Sequence, residues 1–148
     1  MTFRRAIGNP TDRQQEEQDR IRAVGCIACL MRRVGEVNAP LHTPAEIHHI
    51  TRNGMQMGQE YVLPLCGFHH RSQPFTDTLA TAEACRRELG PSLAEGSKAF
   101  FAHFGTDQSL LNLVRWMAGL DPVQIPDRAQ RKRKGNTRRP EKILRGAA

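Results

Sequence analysis

Four of the six histidines and one of the four cysteines fall between Glu46 and Arg71, in the run EIHHITRNGMQMGQEYVLPLCGFHHR. Upstream lies Cys26-Ile-Ala-Cys29, and inside the run lies Cys66-Gly-Phe-His69. A Cys-x-x-Cys pair followed by a Cys-x-x-His pair suits a tetrahedral zinc, because each half is a tight turn that brings two ligands to one point. With all four positions taken by protein, such a zinc is structural. If Cys26, Cys29, Cys66 and His69 close it, then His48, His49 and His70 are left beside it on backbone that the metal has fixed. His48 and His70 have the chemistry to hold a second divalent cation with open positions for water and a phosphate oxygen. His49 can then take a proton from water, since an unperturbed imidazole pKa of about 6.5 leaves it mostly neutral yet basic near pH 7. The other reading of these three histidines is structural, as partners that orient the zinc ligands.

The chain as a whole supports an intracellular, metal-stapled protein. At 148 residues it is most simply one domain with extensions. Its hydrophobic content of 39% and mean hydropathy of -0.56 describe a lean core, and small lean cores are often held by a structural metal. No apolar run approaches the ~20 residues of a membrane span, and the start MTFRRAIGNP lacks the apolar stretch of a signal peptide. A cytoplasmic location follows as the expectation, and in that compartment thiols stay reduced and serve as ligands rather than disulfide partners. Cys85 stands alone in a helical pattern and reads as a small buried residue.

Charge is unevenly distributed. The net charge is +7, yet residues 1–126 carry 13 Lys and Arg against 13 Asp and Glu. The whole excess therefore lies in 127–148, which includes Arg131, Lys132, Arg133, Lys134, Arg138 and Arg139. A basic segment of this kind pairs with phosphates and releases counterions, giving nucleic-acid affinity without base selection. Its composition also favours disorder in the free protein.

The elements that must position these groups follow from local signals. Gly8-Asn9-Pro10 marks a turn, and Thr11 with Gln14 reads as a capping box for a polar surface helix to about Ala23, stopped by Gly25. Met31–Pro44 reads as a connector punctuated by Gly35, Pro40 and Pro44. Ala45–Ile50 reads as a strand, where adjacent side chains face opposite ways, so His48 and His49 need not share a task. Asn53-Gly54 is a hairpin turn, Tyr61-Val62-Leu63 the return strand ended by Pro64, and Gly67 opens a helix carrying His69 and His70. Beyond Pro74 the pattern is helical. Thr76 or Asp77 caps a helix over Leu79–Leu89, Ser92 and Glu95 form a capping box for one reaching Phe104, and Asp107 caps Ser109–Ala118. The last of these carries an apolar stripe of Leu110, Leu111, Leu113, Val114 and Met117. Asp121-Pro122 and Ile125-Pro126 begin the tail. The predicted organisation is an N-terminal extension over 1–24, a zinc-stabilised domain over 25–119 and a flexible basic tail over 120–148. His42 and His103 read as surface residues.

His48-His49-Ile50, followed by Leu65-Cys66-x-x-His69-His70, resembles the signature of HNH nucleases, and within them the chain is similar to the phage recombination-enhancement nucleases. Pro64–His70 and the later Gly96-Ser97-Lys98-x-Phe100-x-x-x-Phe104-Gly105 carry the narrower likeness, over about residues 24–115. The resemblance implies an α+β fold, a small treble-clef (ββα-metal) zinc core with added helices. It implies a metal-dependent DNA endonuclease or nickase of phage origin, with a recombinase filament as partner, acting in the host cytoplasm. Carried over by position, His49 is the general base, His48 and His70 are ligands of the catalytic metal, and His69 replaces the usual second knuckle Cys as a zinc ligand. Two positions depart from the pattern. His48 stands where an acidic ligand is usual, so Mn²⁺ or a later transition ion competes with Mg²⁺ as the expected metal. Tyr61 falls at the middle Asn, whose support of the loop would come from Asn53 or from backbone. The alternative function is a non-catalytic zinc module that binds nucleic acid, with the HNH site decayed. Neither reading specifies an oligomeric state.

Overall fold

The structure, a computed structural model, describes residues 7–35, 45–75 and 79–127. Thr11 caps the first helix, α1 (Asp12–Val24), with the reciprocal box that its spacing predicts. The Thr11 hydroxyl accepts from the Gln14 backbone N–H, and the Gln14 side chain accepts from that of Thr11. Although most of α1 is polar, Ile21 and Gln18 are buried, so the helix packs on the body through one narrow face. A second helix, α2 (Ile27–Gly35), follows after one turn of chain. This corrects the connector expected from Met31. Leu30, Met31 and Arg32 are good helix formers, and the breaking residues Pro40 and Pro44 lie beyond Gly35, outside the described residues.

Two antiparallel pairs form the β structure. β1 (Glu46–His49) pairs with β4 (Val62–Leu65) in the register Glu46↔Leu65, Ile47↔Pro64, His48↔Leu63 and His49↔Val62. Between them, β2 (Thr51–Arg52) and β3 (Met55–Gln56) form a short hairpin. Its turn is Asn53-Gly54, with φ of 54° and 75°, the left-handed pair that a two-residue hairpin loop needs. Pro64 does not end its strand. In a two-stranded sheet each strand has one unpaired edge, where the missing proline N–H costs nothing. All four residues of β4 are buried, which makes it the centre of the core.

Of the remaining helices, the third and sixth pack on that strand, the fourth packs on α2 and the fifth on the turn at Leu93–Glu95. α3 (Gly67–Arg71) leaves β4 directly, α4 (Ala82–Leu89) is capped by Thr81, and α5 (Ser97–Phe104) and α6 (Asp107–Met117) complete the layer. The expected cap at Thr76 or Asp77 lies outside the described residues. The expected box at Ser92 and Glu95 is not formed. Leu93–Glu95 is a single 3₁₀ turn, and Glu95 instead forms an ion pair with Arg86. Ser92 has a more useful role: its buried hydroxyl donates to the Phe68 carbonyl at 2.7 Å and accepts from the Ala94 N–H, tying this turn to α3. Ser92→Ala is expected to lower stability by about 1 kcal/mol in denaturant unfolding, because the Phe68 carbonyl keeps the Ser72 N–H but loses the serine hydroxyl, and the Ala94 N–H loses its acceptor.

Thr106, not Asp107, caps α6, and Asp107 is drawn away by Arg52 in a two-pronged ion pair at 3.1 and 3.2 Å that links the hairpin to this helix. Leu110, Leu111 and Val114 are buried as the stripe predicts, whereas Met117 is exposed. The chain stays on the body past α6: Ile125 is 2% exposed, and its N–H donates to the Gln108 side chain. Cys85 is fully buried, with its thiol turned to the Leu79 carbonyl. The result is a mixed α+β fold. No helix among the described residues is long and apolar enough to cross a membrane.

Candidate metal centre and active site

Cys26 sits immediately before α2 and Cys29 one turn along it, while Cys66 caps α3 and His69 lies one turn along that helix. Both pairs therefore present two side chains on one helix face. The four ligand atoms lie within 4.8 Å of one another, all in buried side chains. Sγ of Cys26, Cys29 and Cys66 stand 3.4, 3.5 and 3.2 Å from His69 Nδ1, and Cys29 Sγ is 4.0 Å from Cys66 Sγ. A zinc tetrahedron with bonds of about 2.3 Å to sulfur and 2.0–2.1 Å to nitrogen has edges of roughly 3.5–3.8 Å. The cluster already has that size.

The buried thiols perturb one another in opposite directions. The neighbouring thiols of Cys26 and Cys66, aided by burial, push the Cys29 thiol up. At Cys26 burial opposes ionisation, but the Cys29 and Cys66 thiols outweigh it and bring the pKa down. His69 Nε2 lies 2.9 Å from the Leu89 carbonyl, so it carries the proton and leaves the Nδ1 lone pair facing the sulfurs. Phe68, Phe100 and Phe104 surround its ring, with centroids at 5.3, 6.4 and 5.4 Å. These residues can hold a structural zinc.

β1 and α3 distribute the other histidines as strand alternation requires. The His48 and His70 rings meet edge to face with centroids 5.3 Å apart. Burial, with His70 and then His49 adding to it, pushes the His48 pKa down to about 4, so this imidazole is neutral at ordinary pH, as a metal ligand must be. His49, the adjacent strand residue, is engaged elsewhere: its Nε2 lies 3.0 Å from Gln59 Oε1.

Two residues at this site have no mark in the sequence motif. Glu46 is two positions before His48 on β1, hence on the same strand face, and its Oε2 accepts from His70 Nδ1 at 2.8 Å. Arg71, chiefly, and His70 hold the Glu46 carboxyl below the usual carboxylate range. The i, i+2 spacing of Glu46 and His48 was the available signal. Gln59 is the other. Asn53 occupies the tip of the hairpin turn, while Gln59 ties the β3–β4 loop to α1 and to Gly8. Only its position in a loop near the histidines could have drawn notice to it.

His103 is exposed, as expected, and lies against Phe104. His42 and the basic residues Arg131, Lys132, Arg133, Lys134, Arg138 and Arg139 lie outside the described residues.

A mixed α+β chain with a Cys₃His cluster able to hold a structural metal, and further histidines gathered on the strand and helix beside it, falls in the class of small proteins with a candidate metal centre. Within that class, this chain belongs to the family described as recombination enhancement, RecA-dependent nuclease, whose model matches residues 10–118. The matched region runs from the residue before the Thr11 cap to the end of α6, taking in every ligand and histidine of the site. The chain is thus a member of a nuclease family concerned with recombination. No individually curated protein matches it.

Proposed function

We propose that the protein is an HNH-type, metal-dependent DNA endonuclease or nickase that acts in recombination on DNA presented by a RecA-type filament. The observation that carries this reading is the division of labour among three imidazoles. His48 and His70 face each other on a strand and a helix tied to the Cys₃His cluster, while His49 beside them is anchored separately through Nε2. The donor set suits a cation. His48 is neutral, and His70 gives its Nδ1 proton to Glu46, which leaves Nε2 for a metal. Two imidazoles suit Mn²⁺ or a later transition ion better than Mg²⁺, which prefers oxygen ligands. The chemistry supplied by such a cation is stabilisation of negative charge on the leaving 3′ oxygen.

The chain's own residues do the rest. His49 Nδ1 accepts a proton as water attacks phosphorus. The new O–P bond forms as the bond to the 3′ oxygen breaks, and the electron pair departs with that oxygen. His48 and His70 would hold the cation, on a strand and a helix tied to Cys26, Cys29, Cys66 and His69. The test is cleavage of supercoiled plasmid and of single-stranded DNA with Mn²⁺ or Mg²⁺, with and without a recombinase filament. Metal-dependent strand breaks that increase with the filament are expected. Folded, zinc-loaded protein that binds DNA yet cuts under none of these conditions would establish the binding-module reading instead.

Affinity for the substrate is assigned to the basic tail. Because Ile125 is buried, the cut that spares the body falls after Asp127, and it removes nine Lys and Arg with one Glu. The shortened protein is expected to bind DNA much more weakly and with a smaller salt slope, by about 0.9 in log–log terms for each phosphate that it no longer neutralises. Fluorescence anisotropy over a salt series measures this, and an unchanged slope would move the footprint onto the body.

A further inference from the structure

Gln59 is 9% exposed and joins His49 to two parts of the chain that the histidine motif does not include. Its Nε2 donates to the Gly8 carbonyl at 2.6 Å. Its Oε1 stands 2.9 Å from Gln18 Nε2 and 3.0 Å from His49 Nε2. The orientation of both amides follows from groups that can only accept. The Gly8 carbonyl demands a donor from Gln59, so the nitrogen of that side chain points at Gly8 and its oxygen at His49. The Gln59 backbone carbonyl, 2.9 Å from the end of the Gln18 side chain, demands a donor there in turn, so Gln18 also presents nitrogen to Gln59 Oε1. Exchanging O and N in either amide would set two acceptors against each other in a buried place.

Gln59 Oε1 therefore faces His49 as an acceptor alone, and the neutral imidazole can satisfy it only with a proton on Nε2. Nδ1 is left as the basic nitrogen. From this we infer that Gln59 is a positioning residue that holds His49 in the Nε2–H tautomer, with Gln18 of α1 and the Gly8 carbonyl locking Gln59. The inference rests on the reading of His49 as the general base, and it adds how that base is kept in one tautomer and one ring orientation. It also gives the segment before the zinc cluster a part in the site. A free imidazole exchanges tautomers and rotates about its side-chain bonds, so only a fraction of molecules would present the lone pair to water at any moment.

The tautomer is read directly by two-bond ¹H–¹⁵N correlation NMR of the full-length, zinc-loaded protein with labelled histidine, which separates a protonated from an unprotonated ring nitrogen. In the parent, His49 is expected to show protonated Nε2 and unprotonated Nδ1. Gln59→Leu, which removes the acceptor at similar size, should give averaged signals from the two tautomers. It should also lower kcat by about 10- to 100-fold, the scale on which partners that orient functional histidines act, with KM for DNA little changed. Gln59→Glu keeps an acceptor toward His49 but loses the donor to the Gly8 carbonyl, so it should restore the single Nε2–H tautomer while kcat recovers only in part. Protonated Nδ1 in the parent, or the same single tautomer and kcat in Gln59→Leu, would overturn the inference. Should Gln59→Leu fold poorly, the parent spectrum and Gln59→Glu decide it. Full activity of His49→Ala would strike down the base assignment alone, since the NMR result stands or falls without it.

Discussion

Cys29→Ser and Cys66→Ser are each expected to yield unfolded or insoluble protein, while the parent carries about one tightly held zinc per chain. The four ligands lie at the meeting of α2, α3 and β4, and His69 is itself surrounded by Phe68, Phe100 and Phe104. Losing one sulfur removes the fourth point of the tetrahedron and leaves a polar group in an apolar place. Structural zinc sites contribute apparent free energies of about 10–16 kcal/mol, against a total stability of about 5–15 kcal/mol for an ordinary small domain. A lean core has no reserve of that size. Cys85→Ser is the matched control: its thiol donates to the Leu79 carbonyl and is not one of the four clustered ligands, so that variant should keep its zinc and its fold. Elemental analysis and circular dichroism before and after chelation make the measurement. Soluble, folded protein without zinc would refute the assignment.

The Cys₃His cluster was legible in the sequence because its geometry is local. In Cys26–Cys29 and Cys66–His69 a spacing of three residues converts directly into two side chains on one turn, and no knowledge of the rest of the chain is needed. The Thr11 box and the Asn53-Gly54 turn are legible for the same reason. Positions where a local preference competes with a distant partner read differently. Asp107 has the chemistry of a cap, but Arg52 on the hairpin claims its carboxylate and Thr106 does the capping. Glu95 fits a capping box, but Arg86 on α4 claims it. Gln59 and Glu46 belong to no motif. Their roles arise when β4 returns antiparallel to β1 and α1 closes over the β3–β4 loop, and neither event is written in a short window of residues. The same holds for Pro64, which breaks a central strand but not one with a free edge.

His49→Ala is expected to reduce DNA cleavage by about 10²- to 10⁴-fold, the range for loss of a positioned general base, with folding, zinc content and DNA affinity near those of the parent. The separation of these readouts follows from the site. His49 touches none of the four cluster ligands; its ring nitrogen is held by Gln59. A group that moves a proton in the transition state contributes little to ground-state binding, so kcat should fall with KM almost unchanged. His70→Ala should behave differently. It removes the partner of both His48 and Glu46, so activity should fall together with affinity for the second cation, which titration calorimetry with Mn²⁺ measures on zinc-loaded protein. The Cys₃His cluster should survive in both variants. If His49→Ala cuts DNA as fast as the parent under matched metal and filament conditions, His49 is not the base. If the parent and both variants cut alike, the activity belongs to something other than these histidines, and the chain is better understood as a zinc module that binds DNA through its basic tail.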